Sequence, residues 1–359
     1  NTSLDLIKAP LAWTITEGSP NVLVGVSDTK FDLGHYDLVG QIAHNIQVSS
    51  GGGHHGTSVA GQIAAKSNNG QGISSIAHNS LLVTATSGNN LHYLISGLLQ
   101  LAQYPGVRVV NCSWIVCDNT FDKDYLDLVM EEVTNLGVLV VGGAGNGLGG
   151  THCGGVSNGN GYGYPASYDE AISVTSVGNR YPIGIDHDLQ FGHPTPNTIW
   201  QIRSWNDVHL LRPQLPNNFT SHTHNDKVNV TAPGQLVLTL TDRYDDHPYG
   251  YTIANGTSQS APFVTGLAAL IFSVDPNFTA SEVKNIIEST ADNIDDIPYN
   301  VLFEGLLGSG RINAYRAILT AECLVNPTPG LDLSMQNSKL DIFQEPDVET
   351  EYVWRSEDI

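Results

Sequence analysis

The chain has 359 residues, with 36 acidic against 15 basic side chains and a formal net charge of −21. That shortage of Lys and Arg argues against nucleic acid or an anionic membrane surface as a partner, since both are bound through basic patches. Hydrophobic residues make up 40%, which suits a packed globule, and no run reaches the roughly 18 consecutive apolar residues of a membrane span.

Charged residues are only 14% of the chain, below the roughly 25% of ordinary domains. The surface is therefore expected to be rich in Asn, Ser, Thr and Gly, as in an extracellular enzyme from a cold or salty setting, or through a bias of lineage. The opening "NTSLDLIKAP" has no Met, no basic n-region and no apolar h-region. It reads as a start left by removal of a leader or by trimming.

In chain order, "NVLVGVSD" (21–28) is a β-rich run that ends in an acid. "HGTSVAGQIAAKS" (55–67) has helical spacing of Val59, Ile63 and Ala64, and "LHYLISGLLQLAQ" (91–103) is a second helix. "VRVVNCSW" (107–114) is a strand, "KDYLDLVMEEVTNLG" (123–137) a helix closed by Gly137, and "VLVVGGAGN" (138–146) an apolar strand opening into glycines. "AISVTSVG" is another strand. A polar stretch at about 179–217 reads as an irregular insertion. "KVNVTAPG" and "QLVLTLT" are further strands. Helices follow from Ser258, over 279–291 and over 313–322. Strand and helix alternating in this way predict an α/β fold: a three-layer, doubly wound, mostly parallel sheet with helices on both faces. The domain is expected over 1–324. "VNPTPG" then breaks the pattern, and the acidic segment to 359 reads as a linker toward a further C-terminal domain or as a strap across the surface.

Four cysteines, Cys112, Cys117, Cys153 and Cys323, form no CxxC pair, which argues against a zinc ribbon. Cys117 and Cys153 lie in loop-like sequence and can pair in an oxidising compartment. Three full pairings stay open. Cys112, in an apolar strand, reads as a buried thiol.

Open α/β sheets bind ligands at the carboxyl ends of their strands. Asp28 ends an apolar run, His55 opens a helix, and Ser258 opens another, where unpaired N–H groups favour developing negative charge. Each alone has a plain alternative: a turn acid, a solvated histidine, a loop serine. Together they supply what an activated serine needs, a base and a carboxylate to orient it. Ser260, about 200° further round the helix than Ser258, cannot share that face. It is expected to pack against the sheet, and Pro262 to loosen the first turn by removing the N–H that would bond the Ser258 carbonyl.

"DTKFD" after a strand, "HGTSVAG" and "GTSQSAP" together resemble the three signature blocks of subtilisin-like serine proteases, and the likeness spans about residues 4–320 apart from much of 179–217. The resemblance implies Ser258 as nucleophile, His55 as general base and then acid, Asp28 as its orienting carboxylate, and Asn146 as the side-chain oxyanion donor. It implies that Ser113, Trp114 and Gly145 line the cleft near the substrate's P1 residue. "SGNN" with Ser87 and Gly88 would form a second edge strand for an extended protein or peptide substrate. It implies a removed propeptide and an extracellular location. No cofactor is required for the chemistry. A structural calcium is expected on Asp37 and Asn69, with Asp5 contributing. The chain departs from the family at Lys30, Ser58, Trp114-Ile115 and Gln259, none of which deletes a catalytic group. His54 is read as a bystander. The cluster Asp186, His187, Asp188 and His193, with His222, His224 and Asp226, fits no strong zinc spacing. The activity expected is serine endopeptidase through an acyl-enzyme. The rivals are a catalytically impaired subtilisin-fold module that only binds peptides, an acid-active relative with a Glu/Asp pair, and an esterase. The intact "HGTS" block argues against the acid relative, and the absence of a "GxSxG" elbow against the esterase.

Overall fold

Val109 and Val110 are neighbours in sequence but belong to different hydrophobic clusters, as do Val140 and Val141. Successive strand residues point to opposite faces, so a strand apolar at both positions must be covered on both sides. This is the reason for the three layers. The computed structural model describes residues 2–118, 120–146, 161–177, 223–235, 237–243, 249–295, 300 and 303–327. The expected insertion at 179–217, the acidic segment beyond 327, Cys153 and the cluster Asp186, His187, Asp188, His193 and His222 lie outside them.

The elements are α1 (Thr2–Leu6), α2 (Ala9–Ala12), β1 (Leu23–Asp28), β2 (Ile42–Gln47), α3 (His55–Ala64), β3 (Leu81–Thr86), α4 (Leu91–Ala102), β4 (Val107–Cys112), α5 (Phe121–Asn135), β5 (Leu139–Gly143), β6 (Ile172–Val177), β7 (Val230–Pro233), β8 (Val237–Leu240), β9 (Tyr251–Ala254), α6 (Thr257–Val274), α7 (Ala280–Ser289) and α8 (Ala314–Val325). Seven strands form one parallel sheet in the order β2-β3-β1-β4-β5-β6-β7, and β8 and β9 form an antiparallel pair. On one face, α4 and α5 bury Leu98, Leu101, Leu126 and Val133 against Val83, Val110 and Val140. On the other, α3, α6, α7 and α8 bury Ile63, Leu267, Ile287 and Ile318 against Val24, Val109 and Val141.

Three strands escape the sequence reading. β2, "IAHNIQ", is an edge strand with no buried residue, so it carries no apolar run to find. β3, "LLVTAT", is as long as β1 but carries two threonines and adjoins a polar turn, and β9, "YTIA", has only four residues. "SGNN" is a turn, not an edge strand: Asn90 caps α4 by accepting from the Tyr93 N–H. Helix α6 has the length and apolarity to cross a membrane, but 83% of it is buried inside the protein. Its first turn begins at Thr257, one residue earlier than expected. Cys117 is disulfide-bonded, and Cys112 and Cys323 are free and buried.

Candidate active site

Strand β1 ends on Asp28, which is 2% exposed. The first residue of α3, His55, places Nδ1 at 2.9 Å from Oδ1 and 3.0 Å from Oδ2 of that carboxylate. The Thr29 N–H donates to Asp28 Oδ1 at 2.7 Å, and the Gly56 N–H donates to Thr29 Oγ1 at 2.9 Å. The end of β1 is thus stitched to the start of α3. An ionised carboxylate only accepts, so His55 Nδ1 carries the proton and Nε2 keeps its lone pair. Burial works against the imidazolium. The Asp28 charge and hydrogen bond override it, and the His55 pKa lies above its ordinary value of about 6.5.

Among residues 256–260 only Ser258 is not buried. It is the second residue of α6, whose start is set by Gly256 at φ +132°, a conformation L side chains avoid. A side chain there would also press on the Asn146 amide. The Ser258 N–H, one of the orphan donors of a helix start, has no hydrogen-bond partner among the described residues. Its hydroxyl donates to the Ser113 carbonyl at 3.2 Å. Among the described residues no hydrogen bond joins Ser258 to His55. Such contacts are often loose before substrate arrives. Asn146 accepts the Thr257 N–H on Oδ1 at 2.8 Å, and the Thr257 hydroxyl lies 3.2 Å from the same atom. That assigns the amide: Oδ1 is held by α6, and Nδ2 is the donor side. The Gly145 N–H donates to Thr257 Oγ1 at 3.1 Å. One edge of the sheet therefore carries a basic ring nitrogen, a hydroxyl and two N–H donors, the set required for acyl transfer.

The subtilase family model matches residues 19–310. The chain belongs to the subtilase family. It is similar to subtilisin DY of Bacillus licheniformis, at 29% identity over 88% of this chain and 97% of the relative. It is similar to a thermophilic serine proteinase of Bacillus sp. strain AK1, at 30% identity over 86% of this chain and 64% of that protein. Among solved structures, fervidolysin from Fervidobacterium pennivorans shares the fold with a TM-score of 0.66 at 23% identity, over 89% of this chain and 45% of that one. This subtilase is a serine-type endopeptidase. Its substrates are proteins, and subtilases need no cofactor for catalysis.

The residues expected to meet substrate divide. Ser113 is half-buried and touches Ser258, and Gly145 holds φ +120° beside Asn146. Trp114 does not present its side chain to a cleft. It is buried among the α4 and α5 side chains and donates its indole N–H to the Ser27 carbonyl at 3.0 Å, bracing the residue before Asp28. Ser87 and Gly88 are buried, and their N–H groups donate to the Asp28 and Thr29 carbonyls at 2.9 and 3.3 Å. Pairing there already serves β1.

The calcium expectation meets a loop closed by N–H donors. The Asp37 oxygens accept from Asn69 Nδ2 at 2.7 Å and the Ile73 N–H at 3.0 Å, and Asn69 Oδ1 accepts from the Gln71 N–H. Asp5 is exposed on α1. Calcium takes six to eight oxygen ligands. Here nitrogen donors occupy Asp37, so this arrangement does not fit the ion.

Two departures from the family turn out to be partners. Ser58 Oγ and Gln62 Nε2 both donate to Gln259 Oε1, at 3.0 and 2.7 Å, fastening α3 to the residue after Ser258. His54 is more than a bystander. Its Nδ1 lies 2.5 Å from Asp242 Oδ2, while Asp242 Oδ1 accepts the Thr57 hydroxyl at 2.6 Å. A buried carboxylate thus sits on the first turn of α3, where the helix dipole favours it. Arg243 grips Asp32 through two nitrogens, at 2.8 and 3.0 Å. Asp242 follows an apolar strand, the same signal that singles out Asp28. Ser260 packs inward as expected, 0% exposed, and its hydroxyl has no partner among the described residues. Ser260→Ala removes an unsatisfied buried group and is expected to raise stability by about 1 kcal/mol, read as a higher denaturant midpoint at unchanged slope.

Proposed function

We propose that this subtilase hydrolyses extended protein segments through an acyl-enzyme on Ser258. The reading rests on the hydrogen bond from His55 Nδ1 to Asp28, because it leaves Nε2 as the basic nitrogen. Ser258 Oγ attacks the scissile carbonyl while His55 Nε2 takes its proton. The oxyanion so formed accepts from Asn146 Nδ2 and the Ser258 N–H, where preorganised donors need no reorientation. His55 then gives the proton to the leaving amine, and the C–N bond breaks. Water adds to the acyl carbonyl by the same route, again with His55 as base, and Ser258 is released with the acid product. Ser113 and Gly145 flank the P1 side, and the part of the segment 111–115 that runs past the end of β4, residues 113–115, pairs with substrate as an added strand. A fluorophosphonate probe is expected to modify Ser258 and no other residue. An adduct elsewhere on folded protein overturns the assignment of Ser258, and no adduct at all favours the peptide-binding module.

The location belongs to the same reading. A disulfide at Cys117 is characteristic of oxidising compartments, which supports work outside the cell. A propeptide lost on maturation and a domain carried beyond the acidic segment go with it. The N-terminal sequence and mass of the mature protein test both. Calcium on Asp37, Asn69 and Asp5 is not carried into this reading, given the N–H donors around Asp37. Chelation with EDTA is accordingly expected to leave the thermal inactivation midpoint unchanged. A clear fall restores the ion.

A further inference from the structure

Pro262 lies four residues after Ser258, so the Ser258 carbonyl lacks the N–H that a helix would offer it. It has a donor nonetheless. Ser113 Oγ lies 3.0 Å away, and a carbonyl only accepts, so the single Ser113 proton is committed to it. The Ser113 oxygen then receives Asn111 Nδ2, at 2.9 Å. That fixes the Asn111 amide, whose Oδ1 faces Thr265 Oγ1 at 2.9 Å. The Thr265 proton is shared between Asn111 Oδ1 and the Ala261 carbonyl at 3.0 Å. Asn111 and Thr265 are both 0% exposed. Each donor in this chain is set by the acceptor after it. The chain runs from α6 beyond the proline, across β4, and back to the first turn of α6. Ser113 also holds the other end of the same residue, since its carbonyl accepts the Ser258 hydroxyl.

We infer that Thr265 and Asn111 are positioning residues for Ser258, acting through Ser113 in place of the helical hydrogen bond that Pro262 removes. The inference rests on Ser258 being the nucleophile. Neither residue touches substrate. Their effect falls on the angle at which Ser258 Oγ and its N–H are presented, and small misplacements of reacting groups slow chemistry more than binding.

Thr265→Val keeps the shape of the side chain and deletes the donor. We expect kcat on a peptide substrate to fall by about fivefold, the factor that corresponds to one net hydrogen bond. KM is expected to stay within about a factor of two, because ground-state binding is untouched. The rate of fluorophosphonate labelling should fall in parallel, and Thr265→Ser should restore both. If Thr265→Val does not accumulate as folded protein, Thr265→Ala, which lacks the same donor and asks for less space, is expected to give the same split between kcat and KM. Wild-type kcat in folded Thr265→Val, or a folded Thr265→Ser that stays slow, overturns the inference. Ser258→Ala, measured alongside, separates the two levels. Residual turnover there removes the parent reading, whereas an inert Ser258→Ala beside a fully active Thr265→Val removes only the relay.

Discussion

Ser258→Ala is expected to abolish peptide hydrolysis while leaving the fold intact. In subtilisin, loss of the equivalent serine costs on the order of 10⁶ in kcat, and a fall of that size is the expectation here. The position explains why nothing else can substitute. Ser258 is the one residue in 256–260 that is not buried, and its neighbours are committed. Thr257 is bonded to Asn146 and to the Gly145 N–H, Gln259 accepts from Ser58 and Gln62, and Ser260 faces the interior. Among the described residues the Ser258 hydroxyl donates only to the Ser113 carbonyl, so its loss removes one hydrogen bond and little packing. Circular dichroism and the denaturation midpoint should therefore match wild type. Ser260→Ala, two residues away, is the internal control: full activity with a gain in stability. Comparable losses of activity in the two variants would exchange their roles.

Asp28→Asn is expected to reduce kcat by roughly 10⁴, as the same change at the orienting aspartate does in a serine protease. The cause is a tautomer. Asp28 now accepts from His55 Nδ1 and from the Thr29 N–H. An asparagine oxygen can hold the Thr29 N–H, which leaves its NH₂ facing His55. Nδ1 must then accept, the ring proton moves to Nε2, and the base is lost. The pH profile carries a second signature. Asp28 raises the His55 pKa against the opposing effect of burial. Activity needs the neutral ring, so wild-type kcat/KM should rise with pH through an apparent pKa above about 6.5. Removing the carboxylate leaves burial unopposed and moves that limb to lower pH. The sign for stability is the reverse of that for activity. A raised folded-state pKa stabilises the native state fully below the unfolded value of about 6.5, and the contribution is lost as pH rises through the folded value. The Asp28–His55 pair thus adds least to stability where the enzyme is most active. An acid limb unmoved by Asp28→Asn would break the link between the two residues.

The candidate residues Asp28, His55, Asn146 and Ser258 can be picked out of the sequence because each stands at or just beyond the end of an element whose pattern is strong. A strand buried on both faces or a helix with a regular apolar stripe announces where it stops: Asp28 ends β1, His55 opens α3, Ser258 is the second residue of α6, and Asn146 follows β5 through its glycine turn. The central strands β1, β4 and β5 and the helices α3 to α6 are readable for the same reason. Edge strand β2 was not, because none of its residues is fully buried and its Ile42 and Ile46 are separated by polar residues. Trp114 misled because position beside a functional serine says nothing about direction. One step along a strand reverses the face, and its ring went to the core while Ser113 stayed in the site. Ser87 and Gly88 misled through likeness to an edge strand, when their N–H groups were already engaged by Asp28 and Thr29. The Ser58–Gln259 and His54–Asp242 contacts join residues 201 and 188 positions apart. No local pattern encodes such partners, so the sequence marks the departures without revealing that two of them answer each other.

The two free thiols give this protease a means of timing its own opening. Cys112 lies on β4 at the middle of the sheet, where burial and the Asp28 charge push its pKa far up, and Cys323 lies near the end of the last helix. A protease digests its own unfolded copies, so its working lifetime is set by a rate of unfolding rather than by an equilibrium. In the inert Ser258→Ala protein that self-digestion is silenced. Alkylation at Cys112 then clocks rupture of the central sheet, and alkylation at Cys323 clocks fraying of α8. The ratio of the two clocks tells whether the enzyme dies from its edge or from its middle.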